Sequence, residues 1–257
     1  MSKLIDTLEK VGQSAPSPIG FGGTSRTASS VPEIVLIGRV AADELINNRS
    51  LLDAEVDGVL VVPDSWSKRS LDRIRSALKG KVWGVRATNI TESQAVDLKD
   101  RGCDFIVFEA DDTEAAVLND DELGKIIVVD SELRGREARG IQGLSIDSVL
   151  LEQEDKLVPL TVRKLIEIQQ CLGRFDKPAL LGTSSELSIA DLEVLRNAGV
   201  QGLVVDLAAP DTIAKTRDAI SGLPRRRSKS GSRSAAVPRV PASSAAVHEH
   251  DEDDQGI

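Results

Sequence analysis

The chain has 257 residues, 40% of them hydrophobic, and a formal net charge of −9, which suits one large domain or two small ones. Its two cysteines, Cys103 and Cys171, cannot form a disulfide scaffold or a four-cysteine zinc site. Both histidines, His248 and His250, lie in the last ten residues, so catalytic triads, Cys-His pairs and His-ligated metals are excluded from the rest of the chain.

The amino-terminal segment, residues 1–30, is predicted to form a short helix followed by a loop. Leu4, Ile5, Leu8 and Val11 recur at helical spacing, so we expect this side of the helix to cover the folded domain. No stretch approaches the roughly 18 to 20 apolar residues of a membrane-spanning helix, and the first residues lack the apolar run of a secretory signal. We therefore expect a cytoplasmic protein that does not enter a membrane.

Eight short apolar runs follow, each flanked by turn residues. They are continuous rather than alternating, which is typical of parallel strands that are buried on both faces. The predicted strands are residues 34–37, 59–62, 82–85, 105–108, 126–129, 149–151, 179–181 and 203–205.

Segments with helical spacing lie between most of these runs. The predicted helix starts are two capping boxes, Thr91 with Gln94 and Ser188 with Asp191, and two first-turn prolines, Pro159 and Pro210. The predicted helix stops are Gly102, Gly173, Gly199 and Gly222. The order is therefore strand then helix, eight times over.

The even-numbered strands share a sequence signature where each begins. Residues 51–62 read LLDAEVDGVLVV, residues 98–109 read LKDRGCDFIVFE, and residues 195–206 read LRNAGVQGLVVD. The residues that share one position in this alignment are Asp57, Asp104 and Gln201, with Asp147 as a fourth member. A double strand-helix unit used four times predicts an α/β fold, a compact (β/α)8 barrel over residues 31–223. An open doubly wound sheet is the alternative.

Residues 182–206, GTSSELSIADLEVLRNAGVQGLVVD, resemble the segment from the seventh to the eighth strand of phosphosugar-binding barrels. At the level of architecture the chain resembles the aldolase-type TIM-barrel superfamily in general. The resemblance implies that backbone amides of a turn after the seventh strand hold a phosphate, here at Gly182, Thr183, Ser184 and Ser185. The eighth strand departs from the pattern, because Asp206 places a repelling carboxylate at that position.

Residues 224–257 are predicted to be a disordered tail, because their low-complexity composition offers little apolar surface to bury. The tail holds six basic and five acidic residues, a net +1, so residues 1–223 carry −10. Its basic block precedes its acidic block, and such a block binds nucleic acid, anionic lipid or an acidic surface, or only keeps the chain in solution. The acidic folded part and the absence of aromatic residues in the tail argue against nucleic acid as a partner.

The functional site of such a barrel lies at the carboxyl ends of the strands, where this chain carries acids and arginines and no lysine for Schiff-base chemistry. The predicted catalytic carboxylates are Glu109, Asp130, Glu152 and Asp206. The predicted ligands of a divalent ion, Mg²⁺, are Glu109 and Asp130. The predicted substrate-binding residues are Arg39, Arg86, Thr183 and Ser184, with arginine clamping a carboxylate or phosphate.

Two functions of different classes fit these residues. The first is a small-ligand-binding barrel, a lyase or isomerase acting on a phosphorylated or carboxylated metabolite. The alternative is a barrel without catalysis that serves as a scaffold or protein-interaction module, which the short strand-to-helix connections favour because they build only a shallow mouth. The charged residues also have structural interpretations, since the arginines neutralise neighbouring acids and Asp111 and Asp112 suit a helix start. The sequence leaves open whether the protein is an enzyme, and it leaves the oligomeric state open.

Overall fold

The computed structural model describes residues 2–12, 32–153 and 156–224, and in them eight parallel strands close into a barrel. Each strand pairs with the next along the chain, and the eighth pairs with the first to complete the ring. The strands are β1 Val35–Ala41, β2 Gly58–Val62, β3 Trp83–Ile90, β4 Phe105–Thr113, β5 Gly124–Val129, β6 Ser148–Glu152, β7 Ala179–Gly182 and β8 Val200–Asp206. The predicted (β/α)8 barrel is confirmed, and the open sheet is excluded.

Helices surround the barrel and also close one of its ends. The α-helices of the described residues are α1 Lys3–Gly12, α2 Ala42–Asn47, α3 Lys68–Ala77, α4 Glu92–Asp100, α5 Gly135–Gln142, α6 Val162–Leu172, α7 Ile189–Asn197 and α8 Pro210–Ser221. Two 3₁₀ helices, Arg49–Asp53 and Ala115–Asn119, add to them. The second of these makes the crossover from β4 to β5, where the repeating pattern predicts an α-helix.

Local sequence explains where the helices begin and end. The capping boxes at Thr91 and Ser188 are present, and Pro210 begins α8 as predicted. The prediction for Pro159 is wrong, because α6 begins at Val162 after Thr161, whose hydroxyl accepts a hydrogen bond from a backbone amide and so caps the helix. All four predicted stops follow a helix: Gly173 and Gly222 cap α6 and α8, and Gly102 and Gly199 have φ values of +83° and +104°, a conformation that favours glycine.

The amino-terminal helix forms the floor of the barrel. The side chains that point into the barrel are Val35, Ile37, Leu60, Phe105, Val107, Ile126, Leu150, Leu180 and Val204. The apolar side of α1 packs against them and is fully buried. Glycines at the strand starts make room for it, since a Cβ on Gly124 would lie 2.8 Å from the Ser2 Oγ and one on Gly202 would lie 3.2 Å from the Leu8 side chain.

The repeated polar residue before each even strand has a common role with one exception. Its side chain accepts a hydrogen bond from a backbone amide at or next to the start of the preceding odd strand: Asp57 from Leu36, Asp147 from Lys125 and Gln201 from Ala179, at 2.7, 2.8 and 3.2 Å. Asp104 instead turns to α1. Its carboxylate accepts from the Ser2 hydroxyl at 2.7 Å and from the backbone amides of Lys3 and Leu4 at 2.8 and 3.0 Å.

Strands β3 and β4 continue past the rim of the barrel. Asn89 pairs with Asp112 and Ile90 with Thr113, after an irregularity in the register that begins at Ala87. Asp111 and Asp112 therefore lie in an extended strand pair, and the interpretation of these residues as a helix start is wrong. The extension raises one side of the mouth above the rest.

Among the described residues, no helix is long and apolar enough to cross a membrane. The predicted amino-terminal loop beyond residue 12, Glu154 with Asp155, and the predicted tail beyond Pro224 lie outside the described residues.

Candidate functional site

The inward-facing rows of the strands change from apolar to charged side chains at the carboxyl end of the barrel. Successive side chains of a strand alternate between its faces, so a residue two positions after an inward one also points inward. Arg39 follows Ile37 in this way, Glu109 follows Val107, and Glu152 follows Leu150. The period of the strands thus places charged groups directly above an apolar core.

Four of the predicted residues meet in one network across the mouth. Nη1 of Arg39 donates to Oε1 of Glu152 at 3.3 Å, and Nη1 of Arg86 donates to the same oxygen. Nη2 of Arg86 donates to Oε1 of Glu109 at 3.2 Å. One carboxylate oxygen therefore accepts from two guanidinium groups, and Arg86 links the two glutamates.

The network is partly shielded from water. The exposed fraction of the side chain is 19% for Arg86, 25% for Glu152, 34% for Arg39 and 47% for Glu109, so Arg86 lies deepest and Glu109 nearest the solvent. Burial lowers the pKa of Arg86, but hydrogen bonds and charge attraction, first from Glu152 and then from Glu109, outweigh it and raise the pKa above its ordinary value. Arg86 is therefore a permanent cation in the mouth.

A pocket of about 270 Å³ lies beside this network, and Arg39 and Glu152 form part of its lining. The other lining residues are Gln153, Gly182, Thr183 and Ser184. The structure thus brings the two predicted polar residues of the seventh strand end next to Arg39. Gln153 was not predicted to line a site, whereas Gly182 belongs to the turn at which the resemblance to phosphosugar-binding barrels implies a phosphate.

The loop that supplies Thr183 and Ser184 is held by one hydrogen bond within the loop and by two to other segments of the chain. The backbone amide of Thr183 donates to the Val204 carbonyl at 3.0 Å, and its hydroxyl accepts from the Ser185 amide at 3.1 Å. The Ser185 hydroxyl in turn accepts from the Leu157 amide at 3.0 Å. Because the Thr183 side chain is buried and bonded, the exposed Ser184 is the freer contact for a ligand.

The other two predicted carboxylates do not join the network. Oδ1 of Asp130 accepts from the Glu132 amide at 2.8 Å, and Oδ1 of Asp206 accepts from the Ala208 amide at 3.0 Å. Both are exposed turns in which an aspartate bonds the backbone two residues ahead. Asp206 is nevertheless the neighbour of Arg39 in the pairing of β8 with β1.

Within the part of the chain that the structure describes, no three His, Cys, Asp or Glu side chains are grouped so that they could hold a metal ion. Glu109 is bonded to Arg86, while Asp130 is bonded to its own loop. The Mg²⁺ site at Glu109 and Asp130 stays a prediction.

No protein-family model matches the chain, and no curated protein is similar to it. Solved structures do match. Tryptophan synthase from M. tuberculosis has a TM-score of 0.56 and 13% identity, with 86% of this chain and 96% of that chain covered. KGPDC from Streptococcus mutans has a TM-score of 0.55 and 12% identity, with 73% and 97% covered. Thiamine phosphate pyrophosphorylase from Pyrococcus furiosus has a TM-score of 0.54 and 12% identity, with 74% and 96% covered.

Likeness at such identities concerns the fold. The matches cover nearly the full length of each solved chain. The chain therefore has a closed (β/α)8-barrel fold, and it is similar in that fold to these solved structures.

Proposed function

We propose that the mouth of the barrel binds a small anionic metabolite, phosphorylated or carboxylated, with Arg39 and Arg86 as its cationic contacts. The observation that carries this proposal is the position of Glu152. One of its two carboxylate oxygens, Oε1, accepts hydrogen bonds from both guanidinium groups. A ligand carboxylate or phosphate makes the same charge-assisted bonds to arginine. The Glu152 carboxylate is thus an example, within the protein, of the kind of anionic group that the two arginines bind.

The adjoining pocket supports a ligand of metabolite size. Its volume of about 270 Å³ is near the lower end of the range for small-molecule sites. Thr183 and Ser184 line it on the side of β7, which is where the resemblance to phosphosugar-binding barrels implies an anion site. One structural neighbour is consistent with this class of ligand, since its name, thiamine phosphate pyrophosphorylase, specifies a phosphorylated compound.

The proposed chemistry is that of a lyase or isomerase that moves a proton with a carboxylate. Glu152 is the best-placed group, because it lines the pocket and touches both arginines. A ligand that displaced it from the arginines would leave its carboxylate free beside the bound molecule as a general base. Glu109, Asp130 and Asp206 complete the proposed set, with Mg²⁺ at Glu109 and Asp130 as a separate hypothesis.

A scaffold without catalysis is the second candidate, and one feature of the mouth favours it. The two arginines and two glutamates of the network already neutralise one another. A mouth whose charges are mutually satisfied needs no ligand for its stability.

Binding measurements on the full chain separate the two candidates. The probes are inorganic phosphate, malonate and ribose 5-phosphate, each with Mg²⁺ and with chelator, and the readouts are calorimetry and thermal melting. A probe present at about 100 times its dissociation constant should stabilise the fold by about 2.7 kcal/mol. Arg39→Gln should abolish that shift, whereas Arg163→Gln, an 81% exposed arginine on α6, should retain it.

The outcomes are distinct for each part of the proposal. Absence of any shift with all probes would favour the scaffold. A shift that survives Arg39→Gln would place the anion elsewhere. A shift that appears only with Mg²⁺ and disappears in Asp130→Asn would support the metal hypothesis.

A further inference from the structure

Two depressions lie along the two flanks of α3, on the outside of the barrel and away from its mouth. On one flank a depression of about 560 Å³ lies between α3 and the end of α2. On the other a depression of about 750 Å³ reaches the starts of α1 and β3. Asp72 and Ser76 line both depressions, so they form one continuous surface, the α3 groove.

The α3 groove is strongly basic. Arg49, Arg69 and Arg73 line its first depression. The basic residues of its second depression are Lys3, Arg75, Lys79, Lys81 and Arg101. Against these eight cations stands one carboxylate, Asp72, which gives the lining a formal charge of +7. Because the whole chain carries −9, the rest of the chain carries −16 by subtraction.

Most of these cations form no ion pair with an acidic side chain of the described residues. Among the described residues, Arg49, Arg69, Arg73, Arg75 and Lys79 form no ion pair with a carboxylate; Asp72, the acid beside them, is bonded to Arg101. Some basic side chains elsewhere on the barrel surface do pair with acids, for example Lys99 with Asp120 at 2.7 Å and Lys215 with Glu186 at 2.8 Å. The groove is distinguished by the number of cations that line it together, eight beside a single carboxylate, in a protein that has carboxylates in excess.

The sequence of α3 shows why its cations stay at the surface. The helix reads KRSLDRIRSA and buries only Leu71 and Ile74, so nearly all of its charged residues face outward. In a helix that is charged only for solubility, acids placed three or four residues from the basic residues would add stability through ion pairs. The α3 helix has one acid among its ten residues. The arrangement indicates a surface that attracts negative charge.

We propose that the α3 groove binds an acidic, carboxylate-rich segment of a partner protein. Five of the eight cations are arginines, whose planar forks suit paired bonding to carboxylates. α3 is ten residues long, about 15 Å at 1.5 Å per residue, which matches about five residues of an extended peptide. A short acidic segment thus fits within the groove.

The surroundings of the groove disfavour other polyanions. A nucleic acid duplex would extend past the groove and meet a surface that repels it, since the rest of the chain carries a formal net charge of −16. Single strands bind by stacking bases on aromatic side chains, and the only aromatic residue in the described lining, Trp83, is buried. A membrane surface needs exposed apolar side chains beside the cations, and α3 has none among the large exposed hydrophobic residues of the described chain.

The test uses the full chain and a fluorescent peptide of about eight glutamates, with the glutamine peptide and a short DNA duplex as comparison probes. Fluorescence anisotropy at low and high salt gives the dissociation constants. We expect the glutamate peptide to bind, the glutamine peptide not to bind, and the affinity to fall at least about tenfold between 0.05 and 0.5 M salt.

Two double variants locate the binding. Arg69→Gln with Arg73→Gln, in the first depression, and Arg75→Gln with Lys79→Gln, in the second, should each weaken peptide binding by about tenfold. Arg136→Gln with Arg163→Gln removes the same charge from the exposed surfaces of α5 and α6 and should change the affinity less than about twofold. The melting temperature of each variant shows that it is folded.

Each remaining outcome overturns the proposal. Equal losses in all three variants would reduce the effect to net charge. Tighter binding of the duplex than of the peptide would make the groove a nucleic acid surface. If the glutamate peptide did not bind even at low salt, the groove would not be a site for an acidic segment. None of these results bears on the anion site in the mouth, which the variants leave intact.

Discussion

Arg39 of β1 reaches across the mouth of the barrel to Glu152 of β6, with 3.3 Å between Nη1 and Oε1. The two strands are not neighbours in the ring, so this ion pair spans the mouth rather than bridging adjacent strands. Glu152 therefore occupies the space in which an anionic group of a ligand would meet the arginines. The proposed ligand must compete with a side chain of the protein.

Removing that competitor should strengthen anion binding. In Glu152→Gln the two guanidinium groups lose a charged partner, and the partly exposed bonds they made are worth about 1 kcal/mol. We expect malonate or phosphate to bind about fivefold more tightly, as measured by calorimetry. Glu109→Gln removes the same charge but releases only Arg86, so it is the matched control and should give a smaller gain. Equal gains in affinity in the two variants would mean that the negative charge of the glutamates limits anion binding, and not the space that Glu152 occupies.

Asp104 should contribute more to stability than its equivalents in the other repeats. Its carboxylate accepts three hydrogen bonds at the start of α1, whereas Asp147 accepts one from a strand amide. We expect Asp104→Ala to lower the free energy of unfolding by about 2 kcal/mol, as for a strong helix cap. Asp147→Ala should cost about 1 kcal/mol. Urea denaturation measures both, and an equal or smaller loss in Asp104→Ala would contradict the role of this side chain as the anchor of the floor.

Two glycine substitutions should act in opposite directions. A Cβ on Gly84 would lie 2.4 Å from both the ring and the carbonyl oxygen of Phe105, which is fully buried in the barrel. Gly84→Ala should therefore destabilise the fold by about 3 kcal/mol, the upper range for overpacking. Gly140 lies within α5 with no atom in contact range of an added Cβ, so Gly140→Ala should stabilise by about 0.5 to 1 kcal/mol. If denaturation curves showed that both variants are less stable than the wild type, the prediction that the space at Gly140 accommodates a Cβ would be wrong.

The buried thiols should make stability fall at alkaline pH. Burial raises the pKa of Cys171 to about 11 from an ordinary value of 9.0, and burial also raises the pKa of Cys103. The unfolded chain therefore releases these protons first. The contribution of each thiol is fully present below about pH 9 and is lost as the pH rises towards the folded value.

The free energy of unfolding measured between pH 8 and pH 10.5 should thus decline, and the decline should be shallower in Cys171→Ala than in the wild type. A thiol reagent at pH 8 should label neither cysteine in the native protein and both after unfolding. Identical slopes in variant and wild type would show that other groups cause the decline.

The barrel was predictable because its strands are buried on both faces. All eight predicted runs fall within or at the edge of observed strands, and five of them end at the last residue of the strand or one residue before it. The crossover from β4 to β5 was not predictable in this way. Its acidic segment continues β4 past the rim through a pairing with β3, and a pairing between distant residues leaves no periodic signal in either one.

Side-chain length explains which predicted site residues came together. Glu109 and Glu152 are long enough to reach the arginines across the mouth. Asp130 and Asp206 are one methylene shorter and bond the amides of their own turns. The sequence shows that all four are carboxylates at strand ends, but the competition between a local amide and a distant guanidinium is decided by geometry.

The floor helix has a consequence for the order in which the molecule is assembled. The cap of α1 comes from Asp104, which lies 102 positions after Ser2. Synthesis runs from the amino to the carboxyl end, so α1 is made before β4, and the helix cannot complete its contacts until Asp104, directly before β4, has been synthesised. The α1 helix must therefore wait for the segment of about 100 residues that follows it, and its docking reports on the closure of the barrel around it.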